Sequence, residues 1–249
     1  MQFVSAGLTD IGRKRKTNQD AIYVGEKEGF FLVADGMGGH QGGDIASKMA
    51  VDSIPAVLTQ NRDVTAEESL RKAIQYTNGL IHRRGEEDSQ LKGMGTTVVS
   101  LYFQSDSLLI GNVGDSRAYL VNQSEIYQLT KDHTLIQEKL NLGIYDREKA
   151  AKDPHSNVLV RTVGFSDEVE VDLYGYQPEV GDLLLICSDG LYGKVSDHDI
   201  LQIINNAMPE QRQHTAQSLA GLTENLIERA NLNGGNDNIS VITVVVTQV

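Results

Sequence analysis

Five aspartates stand at positions where carboxylate chemistry can be assembled. Asp35 follows the apolar run Phe30-Phe31-Leu32-Val33-Ala34 and precedes Gly36, and Asp189 follows Leu183-Leu184-Leu185-Ile186-Cys187-Ser188 and precedes Gly190. Twice, a buried strand is expected to deliver a carboxylate followed at once by glycine. Without a Cβ the chain can turn sharply there and present its own carbonyl oxygen beside the aspartate, two hard oxygen ligands at one point. Asp20 follows Asn18-Gln19 before another strand, Asp115 lies in Val113-Gly114-Asp115-Ser116, and Asp237 lies in Gly235-Asn236-Asp237-Asn238 before the last apolar run. Five carboxylates gathered in one place would repel and raise one another's pKa, so such a cluster would call for cations. Oxygen-only ligation favours Mg²⁺, Mn²⁺ or Ca²⁺ over Zn²⁺, which prefers His and Cys. One Asp-Gly pair alone is an ordinary turn; the inference comes from the set.

Competing motifs are absent from the sequence. There is no Gly-x-x-x-x-Gly-Lys phosphate loop, and Gly36, Gly38, Gly39, Gly42 and Gly43 do not fit Gly-x-Gly-x-x-Gly. The residue six after Cys187 is Gly193 rather than Arg, which excludes a cysteine-phosphatase loop. EF-hand spacing, His-Glu-x-x-His and Gly-x-Ser-x-Gly do not occur. Carboxylate-bound metal chemistry remains.

The elements that must position these groups can be sketched from periodicity. Strands are expected over 3–8, 21–25 and 29–34, then 96–103, 108–113 and 117–121, with turns at Ser105-Asp106 and Gly114-Asp115. Between these groups lie two helices: Ile45, Met49, Ser53 and Val57 recur every four residues in one, and Leu70, Ile74, Thr77 and Ile81 form a stripe in the other. Thr65-Ala66-Glu67-Glu68 resembles a capping box for the second. Residues 132–157 are polar and poor in apolar periodicity, as in an irregular surface insertion with short helical pieces. Strands resume at 158–163, 169–174 and 183–187. Ser196 can cap a helix, Thr215 to Asn231 carries Leu219, Leu222 and Leu226 at helical spacing, and the last strand spans 238–246. Strands and helices in separate groups indicate α+β rather than a doubly wound sheet.

Composition narrows the class. A chain of 249 residues without repeats or Pro/Gly-rich linkers is expected to form one domain, 1–249, and 40% hydrophobic with 22% charged residues is ordinary for a globular protein. The 34 acidic against 22 basic residues give a net charge of −12, which argues against nucleic-acid or anionic-membrane partners. The single cysteine, Cys187, excludes an intrachain disulfide and reads as a buried strand thiol. The N-terminal residues lack a signal-peptide apolar region, so a cytoplasmic location is expected.

At this point six motifs carry a resemblance. Arg15-Lys16-Thr17-Asn18-Gln19-Asp20, Ala34-Asp35-Gly36-Met37-Gly38-Gly39-His40, Met94-Gly95-Thr96-Thr97, Val113-Gly114-Asp115-Ser116-Arg117, Cys187-Ser188-Asp189-Gly190-Leu191 and Gly235-Asn236-Asp237-Asn238-Ile239-Ser240 resemble the ordered motif series of the type 2C metal-dependent serine/threonine protein phosphatases, bacterial members above all. The resemblance implies a four-layer α-β-β-α sandwich, two central antiparallel sheets flanked by helix pairs. It implies that Asp20, Asp35, Asp189 and Asp237, with the Gly36 carbonyl, hold two Mn²⁺ or Mg²⁺ ions, and that Asp115 with Asp189 holds a third, weaker one. Arg15 matches the arginine that grips the substrate phosphate, and 132–157 matches a variable flap.

The implied reaction is in-line attack on phosphorus by a metal-activated hydroxide, without a covalent intermediate. Arg15 would hold two phosphate oxygens through its planar fork, unless it is only a solvated member of Arg13-Lys14-Arg15-Lys16. The leaving alkoxide needs a proton. Met37 stands where many eukaryotic relatives carry a proposed histidine acid, so His40 is the candidate donor, with a merely solvated histidine as the alternative. His155, in Asp153-Pro154-His155-Ser156-Asn157, is at best a displaced substitute for the flap histidine, and His133 reads as structural. The expected partners are proteins phosphorylated on serine or threonine and a cognate kinase, with the enzyme a monomer. Two rivals stay open: a non-catalytic phosphoprotein-binding regulator on the same fold, and a monoesterase of small phosphate compounds.

Overall fold

The computed structural model describes residues 1–60, 64–122, 125–153, 158–208 and 214–248, apart from the side chains of residues 39–41, 147, 151 and 152. The strands in chain order are β1 (Gln2–Asp10), β2 (Asp20–Gly25), β3 (Phe30–Met37), β4 (Gly95–Thr96), β5 (Val98–Gln104), β6 (Ser107–Val113), β7 (Arg117–Val121), β8 (Ile126–Gln128), β9 (Asp172–Tyr176), β10 (Leu183–Cys187) and β11 (Ile239–Gln248). The helices are α1 (Gly39–Gln60), α2 (Ala66–Glu87), α3 (Leu135–Asn141), α4 (Arg147–Lys152), α5 (Asp189–Tyr192), α6 (Asp197–Ala207) and α7 (Ala216–Leu232). One antiparallel sheet runs β1-β11-β10-β7-β8. The other runs β2-β3-β5-β6-β9, with β4 paired to β3.

Alternation along the central strands stacks the layers. In β3, Phe31 and Val33 face the other sheet while Phe30, Leu32 and Ala34 face α1 and α2. In β10, Leu184 and Ile186 point inward to the opposite sheet, and Leu183, Leu185 and Cys187 point outward to α6 and α7. A strand covered on both faces is apolar at every position, and β10 is buried throughout. Three apolar layers result: helices on sheet, sheet on sheet, sheet on helices. The expected four-layer α-β-β-α sandwich is the observed architecture. Phe3, Phe31 and Phe103 interlock near the start of β3, with centroids 4.3–6.1 Å apart.

The caps fall at the expected residues, although the box expected at Thr65 is only half made, since the Glu68 carboxylate pairs with Lys72 instead. Thr65 Oγ1 accepts from the Glu68 N–H, Ser196 Oγ from Asp199, and Thr215 with Ser218 forms a reciprocal capping box. In α2 the expected stripe of Leu70, Ile74, Thr77 and Ile81 is buried. In α1 the deepest stripe lies one residue later than expected: Ala46, Ala50, Ile54 and Leu58 are buried, while Ile45, Met49, Ser53 and Val57 pack at its edge.

Two strand expectations change. Residues 158–163 make isolated bridges, Thr134 with Leu159 and Thr96 with Val163, rather than a strand. The next strand begins at Asp172, because the preceding residues turn beneath α2 and are held by side chains of that helix: Arg71 Nη1 donates to the Val171 carbonyl and Asn78 Nδ2 to the Ser166 carbonyl. The insertion contains α3 and α4 as short helical pieces, as expected. Pro154, His155, Ser156 and Asn157 lie outside the described residues.

Candidate metal centre at one end of the sandwich

Each sheet sends two aspartates to the same end of the molecule. Asp20 opens β2 and lies directly opposite Asp35 of β3, while Asp189 follows β10 and Asp237 precedes β11, its neighbour in the other sheet. Asp115 enters from the turn between β6 and β7.

Polar side chains and backbone lock these groups in place. Thr97 Oγ1 accepts from the Asp35 N–H at 3.0 Å, the Asp35 carbonyl accepts from Thr97 N–H and Thr96 Oγ1, and Thr97 Oγ1 bonds Ser116 Oγ at 2.7 Å. Ser188 Oγ donates to Asp20 Oδ2 at 2.8 Å and accepts from the Ser240 N–H at 3.0 Å, joining the two sheets. Asn238 Oδ1 accepts from the Gln19 N–H, and its Nδ2 donates to the Ile11 and Thr17 carbonyls. That amide pins the Arg15 loop to the start of β11. Tyr192 Oη donates to the Asp115 carbonyl at 3.0 Å, and the Arg117 guanidinium stacks 3.6 Å above the Tyr192 ring while gripping Asp132. His133 Nδ1 accepts from the Gly114 N–H at 3.0 Å, the structural role expected for it.

The two Asp-Gly pairs act differently from the expected sharp turns. Gly36 continues β3 and Gly190 lies within α5, neither with a left-handed backbone. What both positions require is empty space for another backbone. A Cβ on Gly36 would stand 2.0 Å from the Gly43 carbonyl oxygen, and one on Gly190 would stand 1.9 Å from that of Asn238.

Burial governs the electrostatics. Desolvation first, then neighbouring carboxylates, pushes Asp20 and Asp189 up to about 6 and Asp115 up to about 7, and holds Asp35 well above the ordinary carboxylate range. Asp20 Oδ1 and Asp189 Oδ1 are buried without a hydrogen-bond partner. Arg15 Nη2 bonds Asp237 Oδ2 at 2.6 Å, and that bond raises the already high pKa of the guanidinium. Among the described residues no three His, Cys, Asp or Glu side chains stand close enough together to hold a metal ion as they are.

Arg15, Asp35, Gly36, Asp115, Asp189 and Asp237 line one cleft of about 650 Å³. Asp20 is buried beside it, bonded through Ser188. His40 sits in the first turn of α1, and its side chain lies outside the described residues. Sequence reasoning assigned no role to Ser188, Thr97, Asn238 or Tyr192. The only signal was their place inside or beside the aspartate motifs, since a side chain that orients a ligand has no fixed chemical type.

Comparison with known proteins fits this geometry. The Protein phosphatase 2C family profile matches residues 11–229. The chain is 39% identical over 243 residues to the serine/threonine phosphatase stp of Listeria welshimeri, covering 95% of this chain and 93% of that protein. It is 36% identical to the protein phosphatase PhpP of Streptococcus pneumoniae, covering 95% of each. The crystal structure of the Mycobacterium tuberculosis serine/threonine phosphatase PstP/Ppp superposes with a TM-score of 0.89 at 31% identity, covering all of both chains. The catalytic domain of PstP, solved in complex with two manganese ions, gives 0.85 at 31% identity, covering 99% of both. Two carboxylates from each sheet, a profile match over most of the length and relatives alike from end to end agree: the chain belongs to the protein phosphatase 2C family and is an enzyme.

Proposed function

We propose that the enzyme hydrolyses phosphoserine and phosphothreonine in proteins, using Asp20, Asp35, Asp189, Asp237 and the Gly36 carbonyl to hold two Mn²⁺ or Mg²⁺ ions, with Asp115 and Asp189 holding a third, weaker one. The observation that carries the reading is the cluster itself. Asp20 Oδ1 and Asp189 Oδ1 are buried and unpartnered, and all-oxygen donors suit hard divalent cations. When bound, the ions supply Lewis acidity towards phosphate oxygens and a water of lowered pKa.

The chain's own groups do the rest. Asp35 is fixed by three hydrogen bonds to its backbone, so its carboxylate reaches the cleft without a search. Arg15, half exposed on the cleft rim and already bonded to Asp237, can turn its planar fork onto two phosphate oxygens. His40 is proposed as the proton donor to the leaving alkoxide, directly or through water.

We read the whole chain, 1–249, as a single catalytic domain with a flap at 132–157, working as a monomer in the cytoplasm and opposing a cognate protein kinase. No helix among the described residues is long and apolar enough to cross a membrane. The test is turnover of phosphothreonine peptides with Mn²⁺, with EDTA, and by Asp35→Asn or Asp189→Asn. Loss of at least about a thousandfold in each of the last three is expected, as for removal of an essential metal ligand. Faster turnover of small phosphate metabolites than of phosphopeptides would favour the monoesterase instead, and no turnover of either would favour the regulator.

A further inference from the structure

Beside the metal cleft lies a second, smaller pocket of about 170 Å³, which shares Met37 and Leu159 with it and continues past Val160 to Phe165. It is far below the roughly 300–1,000 Å³ of a small-molecule site and has room for a single side chain. Phe165 is 62% exposed and Val160, on the same pocket wall, is exposed too, so two apolar side chains face water side by side there.

The loop is held rigidly. The fully buried Asn78 of α2 accepts from the Gly164 N–H at 2.6 Å and donates to the Ser166 and Asp167 carbonyls at 2.9 and 3.0 Å. Val163 exchanges two backbone hydrogen bonds of 2.9 Å with Thr96, the residue whose hydroxyl also donates to the Asp35 carbonyl. Thus the scaffold that positions a proposed metal ligand also presents Phe165. The pocket rim is acidic. Glu168 and Glu170 line it, Asp167 is exposed next to it, and the one arginine there, Arg161, is already engaged by Asp172 at 2.6 Å and Glu170 at 3.1 Å.

We propose that this pocket reads the phosphoprotein substrate next to its phosphorylated residue, taking one apolar side chain of the same segment against Phe165, Val160 and Leu159 while the acidic rim favours a neighbouring lysine or arginine. The inference rests on the phosphoprotein phosphatase reading and names its substrate class more narrowly. Its occupant follows from continuity: a chain with its phosphate in the metal cleft must leave across a wall, and Met37 and Leu159 form a wall common to both cavities.

The experiment measures kcat/KM with Mn²⁺ for phosphothreonine peptides in which each flanking position is in turn Leu, Ser, Lys or Glu, with p-nitrophenyl phosphate as a substrate lacking flanks. We expect one position where Leu exceeds Ser by about tenfold, mainly through KM, as for partial burial of an apolar side chain. Phe165→Ser should erase that preference, Phe165→Leu should keep most of it, and Glu168→Lys should remove the preference for Lys. All three variants should turn over p-nitrophenyl phosphate at the parental rate. A preference undiminished in Phe165→Ser, or peptides hydrolysed with no dependence on any flanking position, would overturn the proposal and leave the phosphatase reading standing. Hydrolysis of p-nitrophenyl phosphate but of no phosphopeptide would overturn both.

Discussion

Ser188 Oγ, at the end of β10, donates to Asp20 Oδ2 at 2.8 Å across the gap between the two sheets. The same oxygen accepts from the Ser240 N–H, so one hydroxyl orients a proposed metal ligand and satisfies a buried backbone donor. Ser188→Ala removes both bonds. It should destabilise the fold by about 1–3 kcal/mol, the cost of buried polar groups losing partners, and weaken Mn²⁺ affinity about 10–100-fold. Calorimetric titration with Mn²⁺ beside a urea melt separates the two effects; unchanged metal affinity would contradict the orienting role.

Metal-free protein should lose stability as the pH rises. The carboxyls of Asp20 and Asp189, pushed up to about 6, and of Asp115, pushed up to about 7, bind protons in the folded state that the unfolded chain has already released above pH 4. Folding therefore takes up protons between about pH 4 and 7, and stability declines across that window, by up to about 1.4 kcal/mol per pH unit for each group. Urea melts in EDTA at pH 5 and pH 8 check this. If the ionised carboxylates hold Mn²⁺ as proposed, the metal should flatten or reverse the slope; a metal-free protein equally stable at both values would count against the buried charge cluster.

Glycine substitutions offer a sharp contrast. Gly190→Ala forces a Cβ to 1.9 Å from the Asn238 carbonyl oxygen, so β11 must shift away from α5. A loss of at least about 3 kcal/mol is expected, in line with overpacking against immovable backbone. Gly221→Ala, in α7, meets nothing within 4 Å and should be stabilising by about 0.4–1 kcal/mol. Thermal melts of the two variants side by side decide the matter.

Arg15 is half exposed, so its ion pair with Asp237 adds little to stability, and Arg15→Ala should leave the melting temperature nearly unchanged. Its loss should instead raise KM for phosphopeptides about tenfold or more, with a smaller fall in kcat. Arg15→Lys should recover only part of the affinity, because an ammonium cannot span two phosphate oxygens. A variant with unaltered KM would assign the side chain to the solvated basic run.

The architecture was legible because long apolar runs and capped helices are local signals. The span 183–187 is predicted and observed to the residue, and the stripe from Leu70 to Ile81 is buried as its spacing requires. The one-residue offset in α1 has a physical cause. Small residues such as Ala46 and Ala50 let the helix approach the sheet most closely, and periodicity weighted by large side chains overlooks them. The span 158–163 reads as a strand by composition, but its partners are single bridges supplied by distant segments. In the site, the aspartates announce themselves by type and position. The reason for Gly36 and Gly190 does not, since close approach of two backbones is a tertiary fact. Nor does the 2.8 Å bond of Ser188, whose partner lies 168 residues away.

Strand β11 is the latest of the described elements to leave the ribosome, yet it lies between β1 and β10, pairing with both. Until it inserts, the first strand has no sheet partner and Asp237 has no anchored position beside Asp189. A nascent polypeptide lacking this piece therefore owns the parts of a catalyst without being one. Folding of the site, and with it activity, is therefore expected to wait for this last insertion.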